Sequence, residues 1–365
     1  MLNIRKVIYE LSGFKTITVC LFILNILSVM SIYSSLHQAG EFVGGELLSK
    51  QIIWIGISWV LLVIFTWLNY RLYFSLGYLI YVLNLILIIA VDIFGMSAMG
   101  AQRWLSIFGF TFQPSEISKV AVIILLARLF SETEESNSPR SFFVGLLLVI
   151  LSAIVIFKQP DLGTAIIIVL IFLTMGFFSK INKIYFILCI GVGLLLTPVF
   201  FGTLKDYQKK RLLVFINPNV DPLGAGYTII QSKIAVGSGR IFGKGFLSGT
   251  QNQLNFLPER HTDFIFTVIA EEWGFFGSLF LILIYWLILQ KILDKTKELH
   301  DPFAYFLSLG IVLLFFLHIF INIGMTLGIL PVVGVPLVFL SYGGTNLLIN
   351  FIIIGIFFNI CRQHT

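Results

Sequence analysis

Charge is what this sequence has least of. Only 12% of its 365 residues are Asp, Glu, Lys or Arg, about half the share that keeps an ordinary globular surface in water. A soluble domain is thereby excluded, because no water-facing fold could hide the 58% of residues that are hydrophobic. Cysteine is scarce too. Cys20, Cys189 and Cys361 lie in or beside apolar runs with no repeating spacing, which excludes a disulfide framework and a thiolate metal site. The five histidines are scattered, so no zinc cluster is signalled, and a serine nucleophile elbow is missing. The glycine-rich run around Gly239, Gly243 and Gly245 fails as a phosphate loop. Ser238 stands where the first glycine of GxxxxGK belongs, and Gly245 follows Lys244 where Ser or Thr is required.

What is present is long apolar runs, with a mean hydropathy of +0.98. About 20 apolar residues cross a bilayer core of roughly 30 Å, and ten segments qualify: Thr16 to Tyr33, Gln51 to Leu68, Phe74 to Phe94, Ser115 to Phe130, Phe142 to Phe157, Asp161 to Phe178, Ile184 to Phe201, Phe264 to Leu289, Phe303 to Leu327 and Asn346 to Ile360. The expected fold is an all-α polytopic membrane protein, a single domain over 1–365. The first segment lacks a small-residue cleavage site and reads as a retained helix.

Orientation follows from the connections. Placing the N-terminus in the cytoplasm puts Arg5, Lys6, Lys15, Arg71, Arg128, Arg140, Lys180, Lys183, Lys291, Lys295, Lys297 and Arg362 inside, against Lys50, Arg103 and Lys158 outside. That asymmetry expects both termini in the cytoplasm. It also accounts for the net charge of +6 without a nucleic-acid partner. The connection 202–262 is unusually long and is expected outside, functional rather than a spacer. Its apolar stretches, Leu212 to Ile216 and Tyr227 to Val236, should pack on the bundle or on the outer leaflet. Inverted halves of the kind common in transporters are not evident.

Ionisable residues at the mouths of apolar helices are costly, and each is a functional candidate. Glu116 and Lys119 share a helix face three residues apart, as a structural ion pair or as a substrate site. Gln113 and Pro114 before them read as a helix start. Asp161, after Pro160, suits a helix cap as well as binding. Trp104, beside Arg103, suits an interfacial aromatic. Asp263 ends the polar run Pro258-Glu259-Arg260-His261-Thr262-Asp263 where the eighth segment begins. A carboxylate there can cap the helix, act as a general base or hold a divalent cation beside a lipid-linked phosphate. Glu271 and Glu272 fall roughly 12 Å further along that helix and must face protein or water.

The motifs Gly100-Ala101-Gln102-Arg103-Trp104-Leu105, Gln113-Pro114-Ser115-Glu116 with Lys119, Gln159-Pro160-Asp161-Leu162-Gly163-Thr164, Gly243-Lys244-Gly245 and Pro258 through Phe266 resemble the SEDS family of cell-shape, division and sporulation proteins. So does the C-terminal signature from Asn322 through Gly328, Pro331 and Gly334 to Ser341-Tyr342-Gly343-Gly344. Thr345-Asn346 departs from the small residues usual after that glycine pair. Gln102, Arg260 and the short N-terminal tail look more like the elongation branch than the division branch.

The resemblance implies a ten-helix peptidoglycan glycosyltransferase that polymerises lipid II on the outer face of the bacterial cytoplasmic membrane. It would work for cell elongation with a class B penicillin-binding protein. By the same resemblance the essential loop aspartate falls on Asp263 and a tryptophan tied to activity on Trp104. Gln113, Glu116, Lys119 and Asp161 fall on polar positions of the outward cavity, with Arg260 and Ser341 beside them. Arg103, Lys119 and Arg260 are the basic groups available to two pyrophosphates, with Mg²⁺ or Mn²⁺ as the cofactor to expect. The competing readings are a lipid II transporter, which should carry polar groups near the midplane and at both mouths, and a scaffold whose polar residues only lock helices together.

Overall fold

The computed structural model describes residues 4–38, 41–42, 44–98, 101–107, 110–132, 139–204, 206–222 and 224–364. Gly100 lies outside them. Ten helices occupy the ten apolar segments: α1 (Ile4–Ser35), α2 (Gly45–Trp67), α3 (Arg71–Phe94), α4 (Pro114–Glu132), α5 (Pro139–Lys158), α6 (Leu162–Phe177), α7 (Lys183–Thr203), α11 (Ile265–Lys297), α12 (Pro302–Thr326) and α13 (Gly344–Gln363). In lipid the backbone must satisfy its own hydrogen bonds, and helices do so within one segment. Local chemistry sets several starts. Asp161 caps α6 through the Thr164 N–H, Asn182 caps α7 through the Ile184 N–H, and Asp301 caps α12 through the Phe303 N–H.

Among the described residues seven helices are long and apolar enough to span a membrane by length and composition, and α6 and the start of α7 are shorter apolar helices. α4 meets neither description, since it carries Glu116, Lys119, Arg128 and Glu132. It is tolerated because it is central: α3, α12 and α6 enclose it, and 14 of its 19 residues are buried. α7 is the opposite case, peripheral and exposed along most of its length.

The connections hold what the helix pattern does not reveal. Between α3 and α4 runs an antiparallel meander of β3 (Met96–Ala98), β4 (Ala101–Ile107) and β5 (Phe110–Phe112); a hairpin of β1 (His37–Gln38) and β2 (Glu41–Phe42) follows α1. The long connection folds into α8 (Asp206–Ile216), a 3₁₀ turn (Pro218–Val220), α9 (Ala225–Ser238) and α10 (Thr250–Gln253). α9 lies against α11 and α12, with Ser232 donating to the Thr326 carbonyl at 2.6 Å.

α11 is not the continuous helix its sequence suggests. At Gly274 the backbone turns to φ 65°, ψ −154°, and the glycine run docks into the break. The N–H groups of Lys244 and Gly245 donate to the carbonyls of Glu271 and Glu272, and those of Phe275 and Phe276 donate back to Arg240 and Ile241. A Cβ on Gly239 would sit 1.9 Å from the Ala270 carbonyl, and one on Gly243 2.1 Å from that of Glu272. Only glycine permits that approach.

The helices alternate so that the bundle has two distinct ends. One holds the start of α3, the turn into α12 and the end of α13, where the Tyr70 hydroxyl donates to Asp301 at 2.6 Å and lies 2.9 Å from His364 Nε2. The other holds the meander, the long connection and the start of α11.

Candidate functional site

The second end gathers the sequence candidates, and its centre is the turn before α11. Glu259, at φ 53°, accepts the N–H groups of Thr262 and Phe264 on its carbonyl, while its Oε2 accepts the Thr262 hydroxyl at 3.1 Å. The segment between α12 and α13 grips this turn. Asn322 donates to the Asp263 carbonyl at 2.9 Å and the Val335 carbonyl at 2.7 Å. Ser341 donates to the Thr262 carbonyl at 2.6 Å and accepts the Leu337 N–H. The Tyr342 N–H donates to the His261 carbonyl.

The Asp263 side chain is thus held by its backbone. Phe264 occupies the N-cap of α11 without any side-chain cap, so Asp263 is not a helix cap. Among the described residues no hydrogen bond reaches its carboxylate. Gly334, at φ 72°, passes so close that a Cβ there would lie 3.3 Å from Asp263 Oδ2. Burial foremost, then the charge of Glu259, pushes the Asp263 carboxyl up to about 6, while Arg211 and Arg103 pull it down and Asp161 adds to the rise. A half-buried carboxylate there, with no partner on its oxygens among the described residues, can exchange a proton near neutrality.

Arg103 projects from β4 to donate to the Gln159 carbonyl at 3.0 Å and to the Pro160 carbonyl. The β3–β4 register slips here, from Ser97 opposite Gln102 to Met96 opposite Trp104, so Arg103 is the extra residue of a bulge, and Trp104 beside it is half-buried. Asp161, just beyond, caps α6 with Oδ1 and accepts Gln113 at 3.0 Å and Ser115 at 2.9 Å on Oδ2. It ties the start of α4 to that of α6.

Glu116 and Lys119 form a closed buried network. Lys119 Nζ is 2.7 Å from Glu116 Oε1 and 2.9 Å from His318 Nε2; Asn346 donates to Glu116 Oε2 at 2.6 Å. The ammonium donates, so Nε2 of His318 accepts and its Nδ1 carries the hydrogen toward the Pro336 carbonyl. Arg260 is buried with its guanidinium on the Ser35 carbonyl and Asn255. Thr345 and Asn346, the departure from the usual small residues, are both used: Thr345 Oγ1 accepts the Gln113 N–H. The three basic groups expected for phosphates, Arg103, Lys119 and Arg260, are all engaged by protein, and the cations whose charge acts on Asp263 are Arg211 and Arg103.

Arg211 had no role in the sequence reading, and Glu259 and Asn322 entered it only as members of motifs, without the contacts they make here. The signals were the basic run Lys209-Lys210-Arg211 ahead of an apolar stretch and a lone asparagine inside apolar α12. Glu271 and Glu272 lie away from this centre, at the break in α11. Glu271 is held by Lys244 at 2.7 Å and by Thr250, Gln251 and Asn252, and Glu272 accepts the Ser34 hydroxyl.

Among the described residues no three His, Cys, Asp or Glu side chains converge as a metal cage. With Asp161 capping α6 and Glu259 bonded to Thr262, the available protein donor is the Asp263 carboxylate. That set fits a cation held chiefly by substrate phosphates, the usual mode for Mg²⁺.

Fold and site together define a multi-pass membrane protein with one polar centre at one end of its bundle. The chain belongs to the FtsW, RodA and SpoVE family, described as cell cycle proteins, whose profile matches residues 14–365. It is 41% identical over 332 residues to the peptidoglycan glycosyltransferase MrdB of Escherichia coli K12, covering 89% of this chain and 88% of that one. It is 30% identical to the peptidoglycan glycosyltransferase RodA of Treponema pallidum, covering 92% and 94%. Stage V sporulation protein E of Bacillus subtilis is 34% identical, covering 86% of each. Among solved structures, a chain of a peptidoglycan synthase complex that coordinates polymerization and crosslinking superposes with a TM-score of 0.80 at 25% identity, covering 95% of this chain and 97% of that one. The rod shape determining protein RodA of Thermus thermophilus shares the fold with a TM-score of 0.71 at 22% identity, covering 95% and 96%.

Proposed function

We propose that this chain is a peptidoglycan glycosyltransferase that polymerises lipid II for cell elongation, with Asp263 as its general base. The observation that carries the assignment of the base is the Asp263 carboxylate, half-buried, unbonded among the described residues and faced by Arg103 and Arg211. The family and the names of the relatives support the reaction class.

In the transfer, Asp263 takes the proton of the acceptor GlcNAc 4-hydroxyl as its oxygen bonds to C1 of the donor MurNAc. The C1–O bond to phosphate breaks, its electron pair leaves with the polyprenyl diphosphate, and the α-linked donor becomes a β-1,4 product. A divalent cation accompanying the diphosphate would meet Asp263 as its protein ligand and neutralise phosphate charge. Asn322 and Ser341 position the base through its backbone, and Arg103 holds the 159–161 turn beside it.

The end carrying Asp263 is assigned to the outer face of the bacterial cytoplasmic membrane. Arg71, Arg128, Arg140, Lys180, Lys295, Lys297 and Arg362 all lie toward the opposite end, as the positive-inside bias requires of the cytoplasmic side. Both termini are then cytoplasmic. A class B penicillin-binding protein is assigned as the partner, in keeping with the crosslinking complex among the structural neighbours.

The test is glycan synthesis from labelled lipid II by the purified chain with that partner. Asp263→Asn should lower the rate about 10²- to 10⁴-fold while the protein stays folded and inserted. Wild-type synthesis by that variant would remove Asp263 as the base.

A further inference from the structure

Between α12 and α13 the chain crosses residues 331–337 with neither helix nor strand, and this strip lies against Asp263. A Cβ on Gly334 would come to 3.3 Å from Asp263 Oδ2. The strip is also wedged on α6, where a Cβ on Gly163 would sit 2.9 Å from the Val333 carbonyl and 2.8 Å from the Val335 side chain. An irregular strip lacks the ladder by which a helix satisfies its own main chain. Among the described residues no backbone–backbone hydrogen bond holds residues 331–336, and Pro331 and Pro336 have no N–H to offer.

Side chains hold the strip instead. Arg211 reaches the Val332 carbonyl from α8 at 3.4 Å, Asn322 donates to the Val335 carbonyl at 2.7 Å, and His318 Nδ1 lies 3.2 Å from the Pro336 carbonyl. Arg211 is exposed, whereas His318 and Asn322 are buried. These two stand one turn apart on one face of α12, so their donors fall on consecutive carbonyls.

His318 differs from Asn322 in having a second partner that dictates its tautomer. Lys119 Nζ is 2.9 Å from Nε2, and an ammonium can only donate. The one ring hydrogen is therefore on Nδ1, the nitrogen that faces Pro336. Lys119 is fixed in turn by Glu116, and Glu116 by Asn346. An ion pair that only braced α4 would not need an imidazole turned onto a carbonyl two residues from Gly334.

We propose that His318 is a positioning residue for the transfer, its Nδ1–H clamping the 333–336 strip so that Gly334 shapes the space in which Asp263 meets the acceptor hydroxyl. The proposal rests on the reading of Asp263 as the base. Lys119 then serves the reaction through the tautomer of His318 and not by binding phosphate.

The experiment compares His318→Gln and His318→Asn in the full chain with its partner. The amide nitrogen of Asn falls near the place of Nδ1 and can still donate to Pro336, whereas the amide of Gln falls near Nε2 and leaves that carbonyl unmet. His318→Gln should lower kcat about 10- to 100-fold, the scale of a small misplacement at a reacting centre, with KM for lipid II unchanged. Hydrogen exchange of the amides at 333–335 should quicken in the same variant. His318→Asn should recover most of the rate and keep wild-type exchange there. Wild-type kcat or wild-type exchange in His318→Gln overturns the proposal, as does an equal loss in both variants, which would mark a packing defect, or a rise in KM with kcat intact. Asp263→Asn separates this result from the reading beneath it. Were that variant to polymerise at the wild-type rate, the assignment of the base would fall, and exchange in His318→Gln would still decide whether the imidazole clamps the strip.

Discussion

At the residue scale, the site works by contrast between bonded and unbonded carboxylates. Asp161, Glu116 and Glu271 each have oxygens held by protein donors, which fixes them as struts. Among the described residues Asp263 is held only through its main chain. If it is the base, activity should rise with pH as its carboxyl, pushed up to about 6 by burial and Glu259, gives up its proton, and should fall away below that value. Arg211→Ala removes a charge that lowers the same group, so the acid limb should move to higher pH. A pH–rate profile that does not move would count against the pairing.

The Glu116–Lys119 pair predicts a different phenotype. Lys119→Met leaves a buried carboxylate uncompensated, at a cost of about 3–5 kcal/mol, whereas Glu116→Gln combined with Lys119→Met should recover much of that loss. Thermal unfolding in detergent would distinguish them, with equal melting temperatures for all three proteins refuting the strut. Asp263 stood out in the sequence because it ends a polar run at a helix mouth, although a helix cap accounted for it equally well there. Arg211 did not, since its part depends on α8 folding back beside the 331–333 segment, a contact across more than a hundred residues.

At the element scale, the break in α11 and the glycine run that fills it form one device. Gly243 sits at φ 81° with the Glu272 carbonyl where its Cβ would be, so Gly243→Ala should push the strap out at a cost of about 1–3 kcal/mol. Limited proteolysis should then cut within 239–253 faster. Gly237→Ala is the control, because nothing lies within 4 Å of its Cβ position; in a helix it should be neutral or stabilising by up to about 1 kcal/mol. Equal protease resistance of the two variants would mean that the strap is not held by this fit. The failed phosphate-loop match and the docked strap are the same observation at two levels: the glycines are spaced for a helix backbone, not for a phosphate. The β3 to β5 meander escaped the sequence reading because β3 and β5 have only three residues each, and hydropathy over a bilayer's thickness registers the whole connection as a gap between two helices.

At the scale of the whole molecule, the polar groups divide between two ends of unlike character. One carries most of the basic connections and the Tyr70, Asp301 and His364 cluster; the other carries every candidate site residue. With Cys189 replaced by Ala, Leu254→Cys, exposed at the Asp263 end, should react with a membrane-impermeant thiol reagent on intact cells. Lys297→Cys at the other end should react only after permeabilisation, and the reverse pattern would invert the assigned topology.

The ten helices and the end at which the ionisable residues gather were determined by the sequence alone. Hydropathy over a bilayer's thickness is a local sum, and charge is too costly in lipid to be placed at random. Which of those residues would be struts and which would stay open was decided only by the tertiary structure. A side chain's role depends on the donors that reach it, and those for Asp161 and Glu116 come from other helices, some more than two hundred residues away.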